Sequence, residues 1–273
     1  MTDHYFENGL VNLHYYKFGN GAKHMLCFHG YGMHGKQFKI LESSLGEKYT
    51  FWGFDLFFHK ETKLKDQSLP TIKKGTSKKE VAALFTEFCK EQGINRFSVI
   101  GYSMGTHYAT IVTEELAPMI DAYIVAAPSC LKPGSLITFF SKNKIGNKIL
   151  EKLILPEKRL TSLLKLFRQL RFINAEAYEI LYKEIGTPEL RFNFYACFIY
   201  LRFLETDTPR LLGVLQGRNI KSIFIFGKRD KTFPPNIGHA FIAQLKQPEV
   251  IILDEGHEMI KRDFVSALTR VLL

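Results

Sequence analysis

The sequence predicts an α/β protein, a mostly parallel sheet covered by helices, with an all-helical segment inserted into it. Three observations carry this expectation. Short apolar runs of strand length alternate with amphipathic helical patterns through the first half of the chain. The alternation lapses between Leu131 and Arg210, where helical patterns stand almost alone, and it then resumes to the C-terminus.

The first extended runs are Leu10–Tyr16 and Met25–Phe28, separated by the turn-rich Gly19-Asn20-Gly21, which reads as a hairpin opening the sheet. A strand follows at Tyr49–Phe54. Lys60–Lys79 holds seven lysines against Glu61 and Asp66 and reads as a solvated loop. Ser77-Lys78-Lys79-Glu80 is a capping box that starts a helix over Lys78–Gln92, because its hydroxyl and carboxylate can satisfy amides left free at a helix N-terminus. Strand Phe97–Gly101, helix Met104–Leu116 and strand Ala122–Ala127 complete the first half. After the insertion come strand Ser222–Phe226, helix Asn236–Leu245, strand Val250–Leu253 and helix Glu258–Leu272. The domain boundaries that follow are 1–130 and 211–273 for the core, with 131–210 as a helical cap.

The chain has 273 residues, 46% of them apolar. No apolar run is long enough to cross a membrane, and the start lacks the basic-then-apolar pattern of a secretory signal. The net charge of +10 comes with 24 Phe and 12 Tyr, which describes a packed protein with a basic surface rather than a disordered tail. Cys27, Cys89, Cys130 and Cys197 lie far apart without metal-site spacing and read as reduced core thiols, which points to the cytoplasm.

Gly101-Tyr102-Ser103-Met104-Gly105 sits between an apolar strand and a helical pattern. A serine on such a sharp turn is strained and exposed at the strand's C-terminal edge, and the small residues on either side let the backbone turn. A hydroxyl nucleophile needs a base. Of nine histidines the best placed is His257, in the loop just beyond the last strand. Asp230, which closes strand Ser222–Phe226, suits the group that orients the imidazole; Asp254 and Glu255 compete on proximity, but so short a separation favours loop capping. The amides of Met104, at the helix start, and Tyr31, in His29-Gly30-Tyr31-Gly32, are the candidate donors to an oxyanion.

These motifs resemble the α/β-hydrolase fold superfamily. The order Ser103, Asp230, His257 matches that family's nucleophile, acid and histidine, and His29–Gly32 resembles its oxyanion segment. Gly227-Lys228-Arg229-Asp230-Lys231-Thr232-Phe233-Pro234 resembles its acid loop, and Leu131–Arg210 stands where its variable cap is inserted. Two departures stand out. Asp55-Leu56-Phe57-Phe58-His59-Lys60 replaces a Pro-Gly turn with two phenylalanines, which either pack under the cap or, with Tyr31, contact substrate. Thr106 occupies a position where a small residue is frequent.

The resemblance implies a serine hydrolase acting on a carboxylic ester or thioester through an acyl-enzyme, with no metal or cofactor. From Leu131 to Arg171 ten basic residues face only Glu151 and Glu157, while Leu160, Leu163, Leu164, Phe167 and Leu170 recur at helical spacing. This is either a helical layer with a solvated basic back or an acyl pocket whose mouth attracts anionic or lipid-like substrates. The expected partner is thus a small acyl substrate rather than nucleic acid, and the protein a monomer or homodimer. Two rivals remain: a triad-dependent lyase of the menaquinone-pathway type, whose elbow is similar, and a ligand-sensing protein on the same scaffold.

Overall fold

The computed structural model describes residues 3–132, 141–171, 178–179, 182 and 185–273. Its strands are β1 (Asp3–Glu7), β2 (Val11–Phe18), β3 (Lys23–Phe28), β4 (Tyr49–Phe54), β5 (Lys63–Leu64), β6 (Phe97–Tyr102), β7 (Ile120–Ala126), β8 (Lys221–Gly227) and β9 (Glu249–Leu253). They form a single sheet in the order β1-β2-β4-β3-β6-β7-β8-β9, with β5 beside β2. From β4 onward along that order every pairing is parallel; β1, β2 and β5 pair antiparallel. The central strands β4 and β6 are buried along their whole length, as strands covered on both faces must be.

The hairpin expected between Leu10–Tyr16 and Met25–Phe28 is not formed. β2 pairs with β1 and β4, and β4 lies between β2 and β3. The glycines at 19–21 serve a different end: a Cβ on Gly19 or Gly21 would collide with the backbone of Lys48 and Tyr49, so they let the chain pass close over the entry to β4. The actual hairpin is β1–β2, where the Asn8 side chain accepts hydrogen bonds from the amides of Leu10 and Val11.

The helices of the sheet unit are α1 (Glu42–Leu45), α3 (Lys78–Glu91), α4 (Gly105–Glu115), α8 (Thr208–Gly217), α9 (His239–Ile242) and α10 (Arg262–Leu272); α2 (Leu69–Lys74), α5 (Lys144–Ile154), α6 (Glu157–Gln169) and α7 (Pro188–Tyr200) belong to a second unit. Helix α3 begins at the capping box, with Glu80 N–H on Ser77 Oγ at 3.2 Å and Ser77 N–H on Glu80 Oε2 at 2.7 Å. Its buried Phe88 meets Phe6, Tyr15, Trp52 and Phe54 edge-on, within 4.9–5.7 Å. Burying one such ring contributes about 2–3 kcal/mol. On the other face, Phe38, Phe51, Ile124, Ile225 and Phe264 belong to a second cluster. The four cysteines are buried thiols; burial pushes those of Cys89 and Cys197 up to about 12.

The chain divides into two compact units, one of residues 1–65, 77–133 and 204–273 and one of residues 66–76 and 134–203. The lysine-rich stretch expected to be a loop therefore contributes α2 to the helical unit. Ser68 caps α2, and its last residues are anchored to α7: the Arg202 guanidinium donates to the carbonyls of Lys73 and Lys74, and Thr76 N–H to Tyr200 O. Pro188 and the Thr187 cap start α7, whose buried Arg191 donates to the carbonyls of Leu155, Ile185 and Gly186. Parts of the expected cap, 133–140, 172–177, 180–181 and 183–184, lie outside the described residues.

Two helices are shorter than expected. Asn236–Leu245 is a 3₁₀ turn, Pro235–Gly238, followed by four α-helical residues, because Pro234-Pro235 sets the entry and deprives the first turn of a donor. The last helix starts at Arg262 instead of Glu258, since the Met259 and Lys261 amides turn back onto the carbonyls of His257 and Met259.

Candidate active site

Ser103 occupies the turn between β6 and α4 with φ of +50°, a left-handed conformation that costs a non-glycine residue about 1–3 kcal/mol. Local contacts hold it there. The Ser103 carbonyl accepts from Thr106 N–H at 3.0 Å, Thr106 Oγ1 at 2.6 Å and Ser129 Oγ at 2.7 Å, while the Ser103 N–H donates to Ala126 O at 2.9 Å. Gly105 is required because a Cβ would run into the carbonyls of Phe28 and His29, at the end of β3. Thr106, a departure in the sequence, is thus part of what fixes the turn.

Asp230 follows β8 and His257 follows β9. Nδ1 of His257 lies 2.8 Å from Asp230 Oδ2; the carboxylate is fully buried, and the imidazole remains about one-third exposed. The other carboxylate oxygen accepts from the amides of Thr232 at 2.8 Å and Phe233 at 3.0 Å. Burial works to raise the Asp230 pKa, but the hydrogen bonds from His257 and the two amides outweigh it and hold the group below the usual carboxylate range. An ionised Asp230 in turn makes Nδ1 the protonated nitrogen and leaves Nε2 with its lone pair. Gly227 brings the two loops together, since a Cβ there would strike the carbonyls of Glu255 and Gly256. Asp254 and Glu255 are engaged elsewhere, with Arg229 at 3.5 Å and Lys261 at 3.0 Å.

The histidine loop is tied to the serine turn by Tyr102, whose hydroxyl donates to the His257 carbonyl at 2.6 Å and whose ring lies 5.4 Å from the imidazole. Among the described hydrogen bonds none joins Ser103 Oγ to His257. The Tyr31 loop also closes on this turn: a Cβ on Gly30 would overlap the Tyr102 ring and come within 3.6 Å of Ser103 Cβ. The Met104 amide sits at the N-terminal end of α4, where the helix dipole favours negative charge. Phe57 is buried against the Tyr108 ring, at 6.0 Å, and Phe58 is buried at a left-handed φ of 65°.

A family model of the α/β hydrolase fold matches residues 23–145. The chain has the α/β-hydrolase fold. Solved α/β-hydrolase structures superpose on nearly all of it. A thermophilic esterase from Thermogutta terrifontis is 14% identical, with 96% of this chain and 93% of that one covered at a TM-score of 0.70. A structure from a study of carboxylesterases of Nitrososphaera gargenis is 14% identical, with 99% and 97% covered at 0.67, and a putative epoxide hydrolase from Pseudomonas aeruginosa is 17% identical, with 99% and 95% covered at 0.65. No curated protein matches the sequence significantly.

Within this α/β-hydrolase fold the loop from His29 to Gly35 is clamped by side chains that the sequence did not single out. Gly30 N–H donates to Gln37 Oε1 at 2.9 Å, Gly32 N–H to His59 Nε2 at 3.1 Å and Gly35 N–H to Asp55 Oδ1 at 2.8 Å. The amide of Leu56 donates to His29 Nε2 at 3.0 Å. An amide can only donate, so both histidines are neutral with their protons on Nδ1, directed at Gly30 O and Phe57 O. Burial lowers both pKa values, that of His29 furthest, in agreement with these bonds. Asp55 Oδ2 also meets His14 Nδ1 at 2.7 Å, which ties β2 to the same loop. The available signal was that Asp55 and His59 persist in a stretch whose turn residues have changed.

Proposed function

We propose that this protein is a serine hydrolase that cleaves a carboxylic ester or thioester through an acyl-enzyme on Ser103. The observation that carries the reading is the 2.8 Å bond between His257 and a buried, ionised Asp230, in a loop that Tyr102 bonds to the turn carrying Ser103 at φ +50°. Ser103 Oγ attacks the substrate carbonyl carbon as His257 Nε2 takes its proton, and the carbonyl electrons move onto oxygen. Asp230 stabilises the imidazolium without accepting the proton. The amides of Tyr31 and Met104 donate to the oxyanion, each contributing a few kcal/mol where water is excluded. Collapse expels the alcohol or thiol, which takes the proton from His257. Water then enters, His257 removes its proton, and the acid leaves as Ser103 is regenerated.

Tyr31, Phe57 and Phe58 form the substrate-contacting set in this reading. Within the helical unit, Leu150, Ile154, Phe194, Tyr195, Phe198 and Ile199 line a small apolar cleft. Labelling with a fluorophosphonate tests the nucleophile. The wild type should label and Ser103→Ala should not; equal labelling, or none in the wild type, rejects the assignment.

A further inference from the structure

Helices α5 and α6 carry a surface that the hydrolase reading does not use. In α5, Leu150 and Ile154 turn toward α7, while Ile145 and Ile149, one turn apart, remain 73% and 51% exposed. Lys144, Lys148 and Lys152 form the adjoining stripe, also one turn apart. Helix α6 buries Leu160 and Leu164 but leaves Leu166 and Leu170 exposed, 46% and 55%, among Lys165, Arg168 and Arg171. The apolar face read from the sequence thus divides, with its C-terminal half turned to solvent.

Charge is concentrated here as well. The segment 142–171 holds nine basic residues and two acidic ones. The acidic pair does not neutralise them: Glu151 pairs with Lys73 at 2.8 Å and Glu157 with Arg191 at 3.5 Å, both partners from outside the segment. The remainder of the chain holds 28 basic and 25 acidic residues, so most of the net charge of +10 resides in this segment.

We propose that α5 and α6 dock on the surface of an anionic phospholipid bilayer, with their exposed isoleucines and leucines entering the headgroup–acyl boundary and their lysines and arginines on the phosphates. The mixture of groups selects this occupant. A second copy of the same face would bring like charges together, and a nucleic acid would leave the aliphatic side chains in water; an anionic bilayer satisfies both. No helix among the described residues is long and apolar enough to cross a membrane, so the contact is peripheral. The proposal stands apart from the chemistry at Ser103 and its test requires no turnover.

Co-sedimentation with phosphatidylcholine vesicles, with and without one-quarter phosphatidylglycerol, provides that test. The wild type should bind only the anionic vesicles and release them as salt rises to about 0.5 M. Lys144→Gln/Lys148→Gln should weaken partitioning about 30-fold, and Ile145→Ser/Ile149→Ser about tenfold or more. Both pairs are exposed, so far-UV circular dichroism and melting should match the wild type. Absence of binding by the wild type, binding unchanged in both double variants, or a dimer that dissociates on Ile145→Ser/Ile149→Ser overturns the proposal.

Discussion

The hydroxyl of Tyr102 donates to the backbone carbonyl of His257 across 2.6 Å, linking the residue before the serine turn to a loop 155 positions further along the chain. Burial, with the charges of Asp230 and Glu258, raises the Tyr102 pKa far above its ordinary value, so the phenol remains a donor through neutral and alkaline pH. Tyr102→Phe removes only the oxygen. The expected result is a fall of about tenfold in kcat on a short p-nitrophenyl ester, with KM little changed and about 1 kcal/mol lost from stability. A kcat equal to the wild type would show that the loop is positioned without this bond.

Thr106 is buried and its Oγ1 serves three neighbours: the Ser103 carbonyl, Ser129 Oγ and the Cys130 amide. Valine preserves the shape and removes the oxygen. Thr106→Val should cost about 2 kcal/mol, a drop of several degrees in Tm, because the Cys130 amide loses its acceptor in a dry interior. Since one of the bonds holding Ser103 at positive φ goes with it, hydrolysis should fall too, and Thr106→Ser should recover both.

Acid should destabilise the protein before its carboxylates titrate. His29 and His59 are buried and His107 is half-buried, and desolvation holds each pKa below the ordinary histidine value of about 6.5. The unfolded chain therefore binds more protons than the folded one as pH falls through that value, so the stability associated with the neutral rings is complete above about 6.5 and is lost as pH falls toward the folded pKa values. Melting temperatures followed from pH 7.5 to 5 should decline, and His29→Asn/His59→Asn should show a shallower slope from a lower starting point. Activity should decline in the same window, because a charged His59 cannot accept from the Gly32 amide. Parallel slopes in variant and wild type would place the acid sensitivity elsewhere.

How much could be read in advance depended on range along the chain. The capping box at Ser77, the strand before Ser103 and the helix after it were legible because each depends on neighbours within a few residues, through amide capping, a short apolar run and the room left by Gly105. The true partner of β2 was not, since two apolar strands with glycines between them look alike whether they form a hairpin or are separated by β4. The lysines of Lys60–Lys79 suggested solvent, but α2 forms within them because Arg202, far along the chain, donates to its carbonyl ends.

By itself the sequence determined the α/β class, the helix and strand types around Ser103, and the order in which a serine, an aspartate and a histidine come at loop positions. Tertiary structure alone decided that Asp230, rather than Asp254 or Glu255, meets His257, that neutral His29 and His59 clamp the Gly30–Gly35 loop, and that Ile145 and Leu170 face water. Local propensity and patterning act over a turn or a strand, whereas partner choice among several chemically suitable groups depends on strand order and loop crossings that bring distant residues within 3 Å.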